Sequence, residues 1–149
     1  MDDELAERVR QRANRACEYC HVPEVCYPTV PFPIDHIIAQ QHGGPTVFYN
    51  LALSCLHDNS HKGPNIAGID PVSRKLTRLF NPRRHKWRRH FRWAGPFLIG
   101  KTAIGRTTVA VLAMNDPAVI EVREALIEEG LFPPADDVAE QESTRRHRT

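Results

Sequence analysis

Residues 50–63 read NLALSCLHDNSHKG, and the partner that their first half finds decides the fold. The run FYNLALSC (48–55) is apolar, and a helix is expected to begin near Asn59. Upstream, FPIDHIIA (32–39) is rich in β-branched and aromatic residues and reads as a strand. Between the two, QQHGGPT (40–46) supplies a glycine turn. The expected unit is therefore a hairpin with a loop, followed by a helix. Side chains alternate along a strand, so Asp35 and His36 are expected on opposite faces, able to flank a phosphate only if the strand twists.

Working outward, Leu5, Val9 and Ala13 are spaced four apart, and Asp2 or Asp3 is placed to cap, which predicts a short amphipathic helix over 3–15. It runs into CEYC (17–20), after which three prolines up to Pro31 indicate an irregular loop. Residues 68–93 mix strand signals with turns at Pro71 and Pro82. Two further helices are expected at about 107–114 and 117–129, with Leu112, Val119, Val122, Leu126 and Ile127 as an apolar face. Residues 133–149, rich in Pro, acids and Arg without periodicity, read as a disordered tail.

The length of 149 residues fits one domain. No apolar run approaches the roughly 20 residues needed to cross a bilayer, and the charged start MDDELAERVRQR is unlike a signal peptide, so a cytoplasmic protein is expected. In that compartment thiols stay reduced, which makes metal binding the better use for the 4 cysteines. The net charge of +2 hides a strong asymmetry: no acid lies between Asp70 and Asp116, yet eleven of the 20 Lys and Arg do. A basic middle with acidic flanks points to an anionic partner such as nucleic acid.

The chemistry-bearing residues come in a long order: Cys17 and Cys20, then Asp35-His36, then Gly43-Gly44, Asn50-Leu51, and Cys55 followed by Asn59 and Lys62. This pattern resembles the HNH endonuclease family, over roughly residues 9–93 with the specific motifs between 17 and 65. The resemblance implies an α+β fold: a ββα-metal core, here with an N-terminal helix and a C-terminal β/helical extension. Its implied layout is a nuclease core with helix and basic segment over 1–93, an extension packed on the same domain over 94–132, and the tail at 133–149. KGPNIAGIDP and LTRLFNPRRHKWRRHF are similar to an extension found in a bacterial subgroup.

Carried over by position, the resemblance implies that His36 is the general base, that Asp35 and Asn59 ligate a catalytic Mg2+ or Mn2+, and that Asn50 stiffens the loop and orients His36. These residue types suit hydrolysis of a phosphodiester: carboxylate and amide oxygens are the ligands a hard cation prefers, and an imidazole accepts a proton near neutrality. His57 and His61 are weaker candidates for contact with metal or phosphate. The family's structural zinc, held by two C-x-x-C knuckles, would here use Cys17, Cys20 and Cys55, with Asp58 standing where the fourth cysteine belongs. Cys26 and His57 are alternative fourth ligands, and absence of stable zinc is a further alternative.

Lys62 follows Asn59 by about one helical turn and is expected to meet a phosphate. In RRHKWRRHFRW (83–93), Arg83, Arg84, Lys86, Arg88, Arg89 and Arg92 alternate with Trp87, Phe91 and Trp93. The aromatics at 87 and 91 are expected to pack inward, leaving the arginines to DNA; six phosphate contacts would give a salt slope on the order of −5. The expected function is hydrolysis of DNA phosphodiesters. The rival expectations are a DNA-binding module with an inactive site and a zinc-stabilised interaction domain.

Overall fold

A computed structural model describes residues 1–138. Helix α1 spans Asp3–Arg12: the Asp2 carboxylate caps it by accepting from Leu5 N at 2.7 Å, acids occupy its first turn and arginines its last, each complementing the helix dipole. It ends where Asn14 and Arg15 both take positive φ. Arg12 then reaches across to the Phe48 and Leu51 carbonyls, its guanidinium 3.8 Å from the centre of the Phe48 ring, while Arg10 donates to the Phe32 carbonyl at 3.0 Å. The last turn of the helix thereby contacts both limbs of the hairpin that follows.

That hairpin is β1 (Ile34–His36) against β2 (Leu51–Leu53), antiparallel, with Asp35 opposite Ala52 and His36 opposite Leu51. Both strands are shorter than the apolar runs suggest, because the connection 37–50 folds on itself instead of extending the ladder. Gly44 makes that folding feasible: a Cβ there would collide with the Ile38 carbonyl. Helix α2, Leu56–Lys62, starts three residues before the expected Asn59, since the Cys55 side chain itself serves as the N-cap, accepting from Asp58 N at 3.4 Å.

The extension builds two more antiparallel hairpins, β3 (Ala67–Ile69) with β4 (Leu76–Arg78) and β5 (Phe91–Ala94) with β6 (Phe97–Gly100), joined through the short helix α3 (Trp87–His90). Helix α4, Ala103–Val111, packs on β6 almost backbone to backbone, because Gly100 and Gly105 leave no side chain between them. Helix α5 (Pro117–Glu128) follows, and Arg123, buried on it, donates to the Pro96 and Met114 carbonyls.

One apolar cluster runs from Val9 to Phe132. Aromatic rings carry it from the knuckle into the extension: Tyr19 meets Phe80, Phe80 meets Phe91, Phe91 meets Trp87, Trp87 meets Trp93 and Trp93 meets Phe132. Trp87 Nε1 also donates to the Tyr19 carbonyl at 2.8 Å. The architecture is α+β, with short antiparallel pairs and helices. Residues 133–138, expected in the disordered tail, are ordered. Asp137 is only 5% exposed, accepts from Trp93 Nε1 at 3.0 Å and lies 2.9 Å from His21 Nδ1, so a local lack of periodicity is overcome by long-range polar contacts. Residues 139–149 of that tail lie outside the described residues. Among the described residues no helix is long and apolar enough to cross a membrane.

Candidate active site and metal centre

The hairpin and α2 face each other across an open cleft of about 450 Å³, lined by Asp35, His36 and Asn59 together with Gln40, Gln41 and Gly63. Three of the residues selected in the sequence thus meet in one place. As strand alternation demands, Asp35 and His36 diverge: Asp35 is 5% exposed while His36 is half-buried. His36 Nε2 lies 2.9 Å from Thr46 Oγ1, and Thr46 also accepts from Gln40 Nε2 at 3.3 Å. The other ring nitrogen, Nδ1, has no hydrogen-bond partner among the described residues.

Asn50 bonds within its own loop and not to the His36 ring. Its Oδ1 accepts from Ile38 N, and its Nδ2 donates to the Ile38 and Pro45 carbonyls, at 2.9–3.0 Å, tying the two ends of the loop together. The contact to the His36 ring comes instead from Thr46, a residue that sequence reasoning passed over. Thr46 is the last residue of the turn stretch, and loop closure at Asn50 is what carries it back to His36. Asn59 is half-buried, and its side chain makes no hydrogen bond among the described residues, so its amide oxygen is free toward the cleft.

Lys62 departs from expectation. It is 2% exposed; its Nζ lies 3.2 Å from Asp35 Oδ2 and donates to the His36 and Ile37 carbonyls at 3.2 and 3.1 Å. The helical turn that separates it from Asn59 directs the ammonium into the protein, where the Asp35 carboxylate and two backbone carbonyls hold it. It therefore does not face a phosphate. Tyr19, between the knuckle cysteines, completes the arrangement by donating its hydroxyl to Asp35 Oδ2 at 2.7 Å. Burial raises the Asp35 pKa above the ordinary carboxylate value, with Lys62 and Tyr19 opposing that rise. The Tyr19 hydroxyl is pushed well up by burial and by the neighbouring carboxylate. With about four lone-pair directions and three donor contacts, the Asp35 carboxylate keeps acceptor capacity for the cleft.

A second group lies beneath. Cys17, Cys20, Cys55 and Asp58 are all buried, with their ligand atoms within 4.8 Å of one another. Cys17 Sγ is 3.3 Å from Asp58 Oδ2, and the Cys20 and Cys55 sulfurs are 3.8 Å apart. A tetrahedral ion with bonds of about 2.3 Å to sulfur and about 2.1 Å to oxygen would separate such atoms by about 3.8 and 3.6 Å, so the set fits a closed metal site. Asp58 thus stands in the fourth position, while Cys26, half-buried, stays outside and His57 points to Ala113. Burial and the adjacent Cys17 raise the Asp58 pKa well above its ordinary value.

The basic stretch divides. Arg84, Lys86, Arg88, Arg89 and Arg92 are exposed, whereas Arg83 is largely buried in an ion pair with Glu18. Trp87 and Phe91 do pack inward, but Phe91 opens β5, because α3 lasts only one turn. Lys86, Arg88, Arg89 and Lys101 line an open cavity of about 610 Å³ over Trp87, an electropositive surface suited to anions.

No curated protein and no solved structure is matched by this chain. Residues 17–65, which span both knuckles, the hairpin and α2, match the family model described as HNH endonuclease, so over that segment the chain is similar to that family.

Proposed function

We propose that the protein is a metal-dependent endonuclease that hydrolyses phosphodiester bonds in DNA. The observation that carries this reading is the His36 ring, fixed through Nε2 at Thr46 with Nδ1 unpartnered, in the cleft that also holds Asp35 and Asn59. In the tautomer that donates Nε2–H to Thr46, the neutral imidazole keeps its lone pair on Nδ1. That atom accepts a proton from the attacking water, whose oxygen bonds to phosphorus as the P–O bond to the leaving oxygen breaks. Asp35 and Asn59 offer hard oxygen ligands for Mg2+ or Mn2+, which when bound neutralises phosphate charge and stabilises the leaving oxygen. Lys62 and Tyr19 hold the Asp35 carboxylate in position, and Asn50 holds the loop bearing Thr46. Zinc suits the Cys17, Cys20, Cys55 and Asp58 set, and Arg84, Arg88 and Arg89 supply sequence-independent phosphate contacts.

The test is plasmid nicking with Mg2+ or Mn2+. His36→Ala is expected to lower the rate by about 10²–10⁴-fold, the usual contribution of a general base. Thr46→Val is expected to lower kcat with KM unchanged, and Thr46→Ser to restore it. DNA left intact by the wild type across metals and pH would overturn the proposal.

A second reading, a DNA-binding module with an inactive site, draws on the pairing of Asp35 with Lys62, which already neutralises the carboxylate. It is favoured if DNA binds in a salt-sensitive manner that His36→Ala leaves unchanged and no cleavage accompanies it.

A further inference from the structure

Helix α2 carries a histidine pair for which the cleavage reading has no use. His57 and His61 are one turn apart, with ring centres 4.1 Å from each other. His57 Nε2 donates to the Ala113 carbonyl at 2.8 Å, and His61 Nδ1 donates to the His57 carbonyl at 2.8 Å. A carbonyl only accepts, so both tautomers are determined: His57 Nδ1 and His61 Nε2 are left as the nitrogens with a lone pair to offer. Asp116 arrives from the N-cap of α5. Its backbone N–H donates to the same Ala113 carbonyl at 3.1 Å, and its carboxylate makes no capping bond to the helix it starts. A ligand atom of each of the three residues lies within 4.8 Å of the other two.

We infer that His57, His61 and Asp116 form a second metal site, distinct from both the cleft and the cysteine cluster, for an imidazole-preferring divalent transition ion of the zinc, nickel and copper class. Two nitrogens and one carboxylate oxygen suit that class, and three protein ligands leave positions open to water or a further ligand. Each imidazole already has its outer N–H on a backbone carbonyl, the arrangement that orients ligating histidines in metal proteins. The Ala113 carbonyl that serves His57 is presented by a residue at φ 47°, so the turn before α5 is shaped to deliver it. His61 is exposed, which gives an ion a route in. Asn59 lies two residues from each histidine, about 200° around the helix, and faces the cleft. A bound ion would tie α2 to the start of α5, joining the nuclease helix to the C-terminal extension, and would stabilise the folded chain by mass action.

Ni2+ is the probe, added below one equivalent to the full chain already supplied with one equivalent of zinc. The expected result is selective paramagnetic broadening of the His57 and His61 side-chain resonances, ahead of His36, His85 and His90. Calorimetric affinity for Ni2+ is expected to fall tenfold or more in both His61→Ala and Asp116→Asn, changes of an exposed ring and of one isosteric group. Broadening that begins at other histidines, or equal Ni2+ affinity in the wild type and both variants, would overturn the site.

Discussion

Replacing Lys62 with methionine separates an inward structural role from the outward phosphate contact that its spacing suggests. The ammonium is buried, sits 3.2 Å from Asp35 Oδ2 and donates to two backbone carbonyls. Methionine fills the aliphatic path but leaves a buried carboxylate without its counter-charge and two carbonyls without a donor. Breaking a buried pair on one side costs about 3–5 kcal/mol, a large share of the 5–15 kcal/mol that a domain usually has. With a urea m-value of about 2 kcal/mol per M, the midpoint should fall by about 1.5–2.5 M at pH 7, with metal concentrations held equal.

The pH dependence has a definite sign. Burial already raises Asp35 in the folded protein, and losing Lys62 raises it further, so the penalty is full above that raised value. It shrinks as pH falls toward the unfolded value of about 3.9. Adding Asp35→Asn should recover much of the loss, since no buried charge then remains. A Lys62→Met midpoint within about 0.25 M of wild type, joined to a DNA-binding salt slope smaller by about one, would refute the inward role and restore the phosphate contact.

Asp58→Cys should complete the second knuckle with a fourth thiolate: zinc release to a colorimetric chelator is expected to slow relative to wild type, while Cys55→Ser speeds it, and unchanged rates in both would argue that the cluster holds no zinc. Asp70, buried against Arg106 and Ser73, is held below the ordinary carboxylate range chiefly by its hydrogen bonds from Arg106. Its contribution is therefore present above the unfolded value of about 3.9 and lost as pH falls below it, so Asp70→Asn should flatten the acid limb of stability measured by urea unfolding from pH 6 to 2.

Much of this protein could be read along the chain. The hairpin, the helix after it and both C-terminal helices follow from local periodicity and turn residues, because those signals need only neighbours within a few positions. The order Asp35, His36, Asn50, Asn59 was legible as a pattern within one supersecondary unit, and the roles given to those residues came from the family that the pattern resembles. Boundaries were less legible, as Cys55 shows by capping α2 with its own sulfur and starting the helix three residues early. Pairings between distant segments were not legible. Thr46 meets His36 only once Asn50 has closed the loop, Arg83 is claimed by Glu18 from 65 positions away, and Asp137 is drawn out of a supposed tail by His21, 116 positions earlier. Lys62 lies one turn from Asn59 in any helix. Whether its ammonium met solvent or Asp35 depended on where the strand lay across α2, and a buried carboxylate flanked by backbone carbonyls drew the charge inward. Periodicity thus determined which elements form and which residues share a face, while tertiary packing decided which of those faces turn inward, because only there do desolvation and long-range partners set the balance.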